Sequence, residues 1–514
     1  MSSKNDERGR IGSISSSVIL KKPRPDVARA LSTESSTDWR SIWVVSAIAF
    51  AASVQFSVYF SSLWPFLQEI DKTATEDFFG YITAIYSLGQ ALASPALGFW
   101  SNRIKQTKVP LLSGLVLMFI GNLLYGNTEW LPTGSRRYGM LLARFITGCG
   151  GGIIGVIRAY TATASSISDR SRAISINAGA FALGLTSGPA FQIAFTPIGY
   201  PGIQLGPIKL DMYTAPAYLA CVMNTVGFIC LLTLFKENYA AISNEEKLQN
   251  RFHAVPKFDK AAILVCLGTR FAQMFVITNL ETIGSPYSMI MFHWTKSQAV
   301  LYNAIAQAGF GLIGFFIYLS YIVLNLGKIL NPRIMCMTGL GLIFLFHSIT
   351  FPWPFYSGHI AYRTPPHLHN GTWVGNSTAD AGCNPDFDWC KTTPSVNVWL
   401  YLITYVSLIG LAFPGINISM NTLYSKIIGP RRQGTMQGLL FFSGSTARML
   451  GPLFMASLFS RFGPRAAWGM ELLVTFVCFI PWLVMYKRMV PLRSSHLQGP
   501  GDKYQNKHGW VERF

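Results

Sequence analysis

Charge is what this sequence has least of. Only 13% of its residues are Asp, Glu, Lys or Arg and 50% are hydrophobic, whereas about a quarter of a typical soluble domain is charged. A 514-residue chain of that composition cannot cover its apolar surface with polar groups, which excludes an ordinary soluble fold and requires lipid around it. Acid is scarcer than base: 23 Asp and Glu stand against 42 Lys and Arg, a formal charge of +19. These basic groups sit in short segments and tails instead of on one domain face, which argues against nucleic-acid binding. A P-loop and an HExxH pair are both lacking, and His347, His359, His367 and His369 cluster around one polar loop at irregular spacing. No catalytic constellation, metal site or cofactor is therefore expected. The first 40 residues are Ser-rich and charged and contain no signal-peptide h-region, so the first apolar run is expected to act as an uncleaved anchor.

What is present is a series of twelve apolar runs, near 41–63, 78–100, 109–126, 139–161, 173–195, 214–235, 261–284, 298–324, 333–352, 396–424, 434–460 and 466–486. Each is close to the roughly 20 helical residues that cross a bilayer core. An even number puts both tails on one side. That side carries 29 of the 42 Lys and Arg, and the positive-inside rule makes it cytoplasmic. The expected fold is all-α and membrane-embedded, with two six-helix halves at 41–235 and 261–486. They are joined by a cytoplasmic loop at 236–260 and flanked by a disordered N-tail (1–40) and a C-tail (487–514).

Six of the eight cysteines fall inside apolar runs, where a thiol behaves as a small hydrophobe. Cys383 and Cys390 instead lie in the polar loop 353–395, with the sequons at Asn370 and Asn376. A disulfide and glycans there would both require a lumenal or outside face, in agreement with the charge count. The sequon at Asn417 lies in an apolar run and should be unmodified.

Three local patterns suggest a family. Between the second and third runs, Gly98 is followed by Asn102, Arg103 and Lys105, resembling the facilitator loop of Gly, three residues, Asp and alternating basics. Asn102 replaces the usual Asp, which keeps hydrogen bonding but weakens the electrostatic latch. Arg144 precedes Gly148, Gly150, Gly151 and Gly152, similar to the family's fourth-span pattern of an Arg followed by spaced glycines, which lets helices approach closely. Gly184, Gly188 and Pro189 in the fifth run resemble the Gly-Pro motif of antiporter branches, although small residues in a membrane helix more often serve plain packing. Gly451 and Pro452 occupy the matching place in the eleventh run, as a parallel internal repeat requires. Longer strings are more specific: SLWPFLQEID (62–71), YSLGQALASPALGFWSN (86–102), IRAYTA (157–162), MYTAP (212–216), LETIGSP (280–286), QAVLYN (298–303) and LYSKIIGPRRQG (423–434). By these strings the chain resembles the lysosomal major facilitator superfamily proteins of the neuronal ceroid lipofuscinosis type 7 (Batten disease) family from about residue 39 to 490. The resemblance implies a twelve-helix facilitator fold, an endolysosomal membrane and passage of chloride or another small anion. Ile19-Leu20 has Ser15, not an acid, four residues before it, and Tyr486-Lys487-Arg488-Met489 abuts the last run, which leaves any sorting adaptor open.

Ionisable groups at lipid depth are costly and mark candidate pathways. They are Arg144, Arg158, Arg270, Glu281, Arg448 and, early in the last run, Glu471. The family architecture would gather Arg144, Arg158, Arg270 and Glu281 around one central cavity. Fourteen residues is about four helical turns, so Arg144 and Arg158 can share a helix face and form a basic stripe. The excess of Arg over Glu favours an anionic solute, held by guanidinium groups as bidentate donors. Glu281 is the group placed to exchange a proton and couple proton flow to the solute; an Arg–Glu helix lock is the plainer role. Gln55, Asn417 and Asn421 are further pathway candidates, and Tyr160 and Asn303 also qualify, though each suits interhelical hydrogen bonding equally. The expected function is a secondary carrier of a small, anionic solute working by alternating access. The alternatives are an anion channel on the same fold and a non-transporting receptor or scaffold.

Overall fold

The computed structural model describes residues 37–59, 62–74, 76–166, 168–206, 208–239, 258–362, 367–369, 372–374, 382–383, 387–429, 431–492, 503–506 and 509–512. The expected N-tail, central loop and both sequons, Asn370 and Asn376, fall largely or wholly outside these residues.

Among the described residues, twelve long helices form the body. They are α1 (Trp39–Ser57), α2 (Glu76–Ile104), α3 (Lys108–Gly126), α4 (Arg136–Gly151 continued by Ile153–Ala164), α5 (Arg170–Phe195), α6 (Ala215–Thr233), α7 (Lys260–Met291), α8 (Lys296–Val323), α9 (Pro332–Ile349), α10 (Val398–Ile428), α11 (434–462) and α12 (464–484). Ten helical stretches among the described residues are long and apolar enough to cross a membrane. One of them, Gly434–Val484, is two spans joined at Gly463, whose φ of 77° lies in the left-handed region that only glycine occupies without strain. Pro464 then opens α12, and the Trp389 ring packs directly against Gly463.

Local sequence sets the helix starts. Asp38 caps α1 through the Ser41 amide at 3.3 Å, Thr295 and Gln298 form a capping box on α8, and Asn331 followed by Pro332 opens α9, all standard ways of satisfying the first free amides. Outward faces are apolar. Val116, Ile120 and Leu123 on α3, and Val222, Val226 and Ile229 on α6, are all exposed at helical spacing, forming stripes that suit acyl chains and not water.

The halves share one plan. In the first, Gly184 and Gly188 of α5 pack against Ser53 and Ser57 of α1; in the second, Gly451 of α11 packs against Asn279 and Phe275 of α7. Helices one and five of each half therefore meet through the glycines of the two Gly-Pro motifs, within a half and not between halves.

Both ends of each half gather on one side, the tail side. Ser41 bonds the Lys236 carbonyl at 2.9 Å, and Arg488 makes two 2.8 Å bonds to Asp259. Asp259 also caps α7. The Arg488 hydrogen bonds, ahead of the backbone amides, hold its carboxyl below the ordinary Asp range. A lowered folded-state value means that the pair stabilises the fold above that range and that the contribution is lost as pH falls through it. D259N should accordingly flatten the acid limb of a Tm-versus-pH profile, an effect reduced by solvent screening. On the opposite side, Cys383 and Cys390 form a disulfide with Cα atoms 6.1 Å apart.

Candidate functional site

The halves meet along α2 and α11, α5 and α8, and α4 and α11. On the tail side the approach is too close for side chains: a Cβ on Gly98 would overlap the Gly434 carbonyl, and one on Gly438 would stand 2.6 Å from the Ser94 carbonyl. Asn102 spans the same seam, accepting from the Gly434 amide at 3.0 Å and donating to Thr435 at 2.8 Å. An amide does here what a carboxylate cannot, since it both accepts and donates. Arg103 is exposed. Together these contacts close the tail side.

Above the seal lie guanidinium groups from both halves. Arg270 of α7 is buried and donates to Gln273 at 2.9 Å and Asn417 at 3.2 Å. Asn417 also accepts from Asn421 at 2.9 Å and donates to the Tyr318 hydroxyl at 3.0 Å. Arg448 of α11 reaches across to Gln90 of α2 at 3.2 Å and stands 5.2 Å from the Phe56 ring of α1. Arg158 of α4 lies 5.1 Å from the Phe441 ring of α11, and Arg448 lies 5.9 Å from the same ring. Such distances are within cation–π range.

Arg158, Arg270 and Arg448 are within electrostatic reach of one another. Glu281 is exposed and interacts with Arg448 alone among them. Beside it, residues Tyr405–Ile409 of α10 form a π-helical turn, a local widening often found at functional positions. Tail-ward of Phe441 is a small cavity of about 10 Å3, lined by Arg158, Thr161, Asn177, Asn421 and Gln437 among others, with room for about one water-sized group. The Arg158 Nη1, Asn177 Nδ2, Asn421 Oδ1 and Gln437 Oε1 atoms are buried there without a hydrogen-bond partner.

Not every candidate joins this group. α4 tightens to i→i+3 hydrogen bonds around Gly152, whose backbone stays helical, and the two arginines of the basic stripe take different neighbours. Arg144 is held between the Tyr59 and Tyr86 rings at 5.0 and 4.6 Å, inside its own half, while only Arg158 faces the other. Gly148 packs against the Tyr86 backbone and brings α2 and α4 together. Gln55 turns inward as well, pairing with Asn224 at 3.0 Å and accepting from Asn122 at 2.9 Å. Q55L would strand the Asn224 amide, whose oxygen and nitrogen both pair with Gln55, while Asn122 keeps the Met118 carbonyl and the Tyr59 hydroxyl; at about 1–3 kcal/mol for each unsatisfied group, a fall in Tm of the purified protein should report it. Tyr160 bonds the Lys236 carbonyl, and Asn303 bonds Ser288. Tyr486, in the candidate sorting string, packs under Arg333 at 4.5 Å. Gln90, Gln273, Tyr318, Phe441, Asn177 and Gln437 were not singled out by sequence. Neutral groups in apolar runs carry little signal there; only their recurrence opposite lipid-depth arginines exposes them.

Sequence and fold comparisons agree with this architecture. The Major Facilitator Superfamily profile matches residues 45–362 and 389–512. Major facilitator superfamily domain-containing protein 8 of Xenopus laevis is 34% identical over 480 residues, covering 89% of this chain and 93% of that protein. The class E tetracycline resistance protein of Escherichia coli is 23% identical over 91% of this chain and 99% of its own length. Among solved structures, the proton:xylose symporter XylE superposes with a TM-score of 0.62 at 13% identity, covering 89% of this chain and 98% of XylE. The human organic anion transporter MFSD10 (TETRAN) gives 0.56 at 16%, with 86% and 99% covered. At these identities the structures speak for the fold alone. The profile match and the full-length relative establish that the chain is a multi-pass membrane protein belonging to the Major Facilitator Superfamily, a family of transporters and not of enzymes.

Proposed function

We propose that this protein is a secondary transporter of a small anionic solute, that it works by rocking its two halves about the Arg158, Arg270 and Arg448 cluster, and that its membrane is endolysosomal. The carrying observation is charge imbalance at the seam. Three guanidinium groups from both halves are set against one exposed carboxylate, Glu281, which is in reach of Arg448 alone, and three of their nitrogens are buried without partners: Arg158 Nη1, Arg270 Nε and Arg448 Nε. Buried charge is expensive unless paired, so an anion entering this space offsets a cost that the protein alone leaves standing. The MFSD10 neighbour, described as an organic anion transporter, is consistent with that class. The location rests on the likeness of the strings at 62–71, 86–102 and 423–434 to lysosomal facilitators.

Closure of the tail side at Gly98 and Gly434, with Phe441 above it, favours a carrier over an open conduit. In alternating access the seam parts there while the opposite side closes. Glu281, within reach of Arg448, supports a proton-linked cycle. Uptake of a panel of small inorganic and organic anions into proteoliposomes tests the reading. At least one should enter saturably, and R158Q should reduce that uptake by about tenfold or more, the loss expected of one charge-assisted hydrogen bond at about 1.5–3 kcal/mol. Uptake of cations or neutral sugars instead, unaffected by R158Q, would overturn it.

A further inference from the structure

Glu471 of α12 lies apart from the arginine cluster, and nothing in the transport reading so far uses it. It is 2% exposed. Its Oε1 accepts from Asn279 Nδ2 of α7 at 2.7 Å, while its Oε2 and the Asn279 Oδ1 are both buried with no hydrogen-bond donor. The two orphaned atoms belong to the same facing pair, and both are acceptors. One proton satisfies both. If Glu471 carries it on Oε2, the carboxylic acid donates to Asn279 Oδ1 while Asn279 donates to Oε1, which closes a cyclic acid–amide pair with every polar atom used.

The surroundings point the same way. Among the described residues no Lys or Arg acts on Glu471, and its one polar partner is Asn279. From α7 the pair is flanked by Phe275, and from α11 by Gly451, where a Cβ would stand 2.8 Å from Asn279 Oδ1. From α9, His347 meets Trp468 of α12 at 6.2 Å ring to ring, and Tyr287 of α7 stacks on that same indole at 4.0 Å. Tail-ward, Cys478 bonds Thr269. Glu281, two residues from Asn279, is exposed on α7 and faces Arg448 instead. An ionised carboxylate in this setting would be buried and unpaired, a state that proteins avoid by retaining the proton.

We propose that Glu471 carries a proton in this tail-side-closed state, closed with Asn279 into an acid–amide pair, and that this pair is the coupling proton site, set inside the second half instead of in the central cavity. The proposal rests on the proton-linked reading above and moves its proton from Glu281 to Glu471. On release, the Oε2–H bond breaks and the proton passes to water. Oε2 and Oδ1 are left facing each other as two acceptors, which pushes α7 and α12 apart. Because Gly451 sits on Asn279, the displacement reaches α11, whose tail-side end forms the seal.

Infrared difference spectroscopy on the full chain in lipid tests the site, and the pH dependence of anion uptake by the same preparations tests the coupling. A protonated-carboxyl C=O band at neutral pH should vanish in E471Q and in E471M and persist in E281Q. E471Q keeps both hydrogen bonds to Asn279 without a titrating proton, so its uptake should lose the parent's pH dependence. A band that survives E471Q and E471M overturns the site, and a vanished band with an unaltered uptake profile overturns the coupling. Should the parent carry no anion at all, the transport reading fails, yet the band still decides whether Glu471 holds a proton.

Discussion

Gly434→Val is expected to abolish transport and leave the tail side open. Gly434 faces the Gly98 carbonyl and the Asn102 side chain, with Asn102 Oδ1 2.6 Å from where a Cβ would stand. Backbone carbonyls cannot rotate aside as a long side chain would, so α2 and α11 must separate. Overpacking of this kind costs about 1–3 kcal/mol. Because the clash exists only when the seam is shut, that cost acts on the closed state alone and shifts the equilibrium by about tenfold to a hundredfold. A cysteine placed at Asn177, in the cavity above the seal, reports the result once the native free thiols are replaced. With G434V, a membrane-impermeant thiol reagent applied from the tail side should label N177C at least about tenfold faster than with the parent glycine. Equal labelling would mean that the glycine contact is not the seal.

Arg270→Gln is the second large effect. Arg270 is the most enclosed member of the cluster and joins α7 to α10 through Asn417, which in turn holds Asn421 and Tyr318. Removing the charge deletes both the attraction for an anion and the donor that orders this network. Charge-assisted hydrogen bonds are worth about 1.5–3 kcal/mol each, so uptake should fall by about tenfold to a hundredfold at equal amounts of folded protein. R270K should recover little, because both bonds leave the terminal Nη1, and a lysine nitrogen stands one bond nearer the backbone. Normal uptake by R270Q, with the protein verified in the membrane, would remove Arg270 from the pathway.

The fold was largely legible in the sequence because lipid imposes a simple rule: each span needs about 20 apolar residues, and the loops carry the charges. The Gly-Pro repeat showed equally early, since glycine spacing encodes close helix approach. The orientation of individual polar residues was harder to read. Gln55 and Asn417 look alike in sequence, each an amide in an apolar run, yet one ties α1 to α3 and α6 within a half while the other orders Arg270 at the seam. Arg144 and Arg158 share a helix face on ideal geometry, but the Tyr59 and Tyr86 rings hold one inside its half while the other meets Phe441. Glu471 was the least legible. Its position early in a span resembles an interfacial residue, and only the packing of α7 and α11 over it shows the carboxyl to be enclosed.

The central claim is that the seam moves while an anion occupies it. Trans-stimulation in proteoliposomes measures this most directly, using whichever anion the uptake panel identifies. Loading the vesicles with unlabelled anion should accelerate entry of the labelled one, in the parent and not in G434V or R270Q, because a carrier returns faster when loaded. Entry that is indifferent to internal anion and accompanied by unitary currents would contradict alternating access and establish a conducting pore on the same fold.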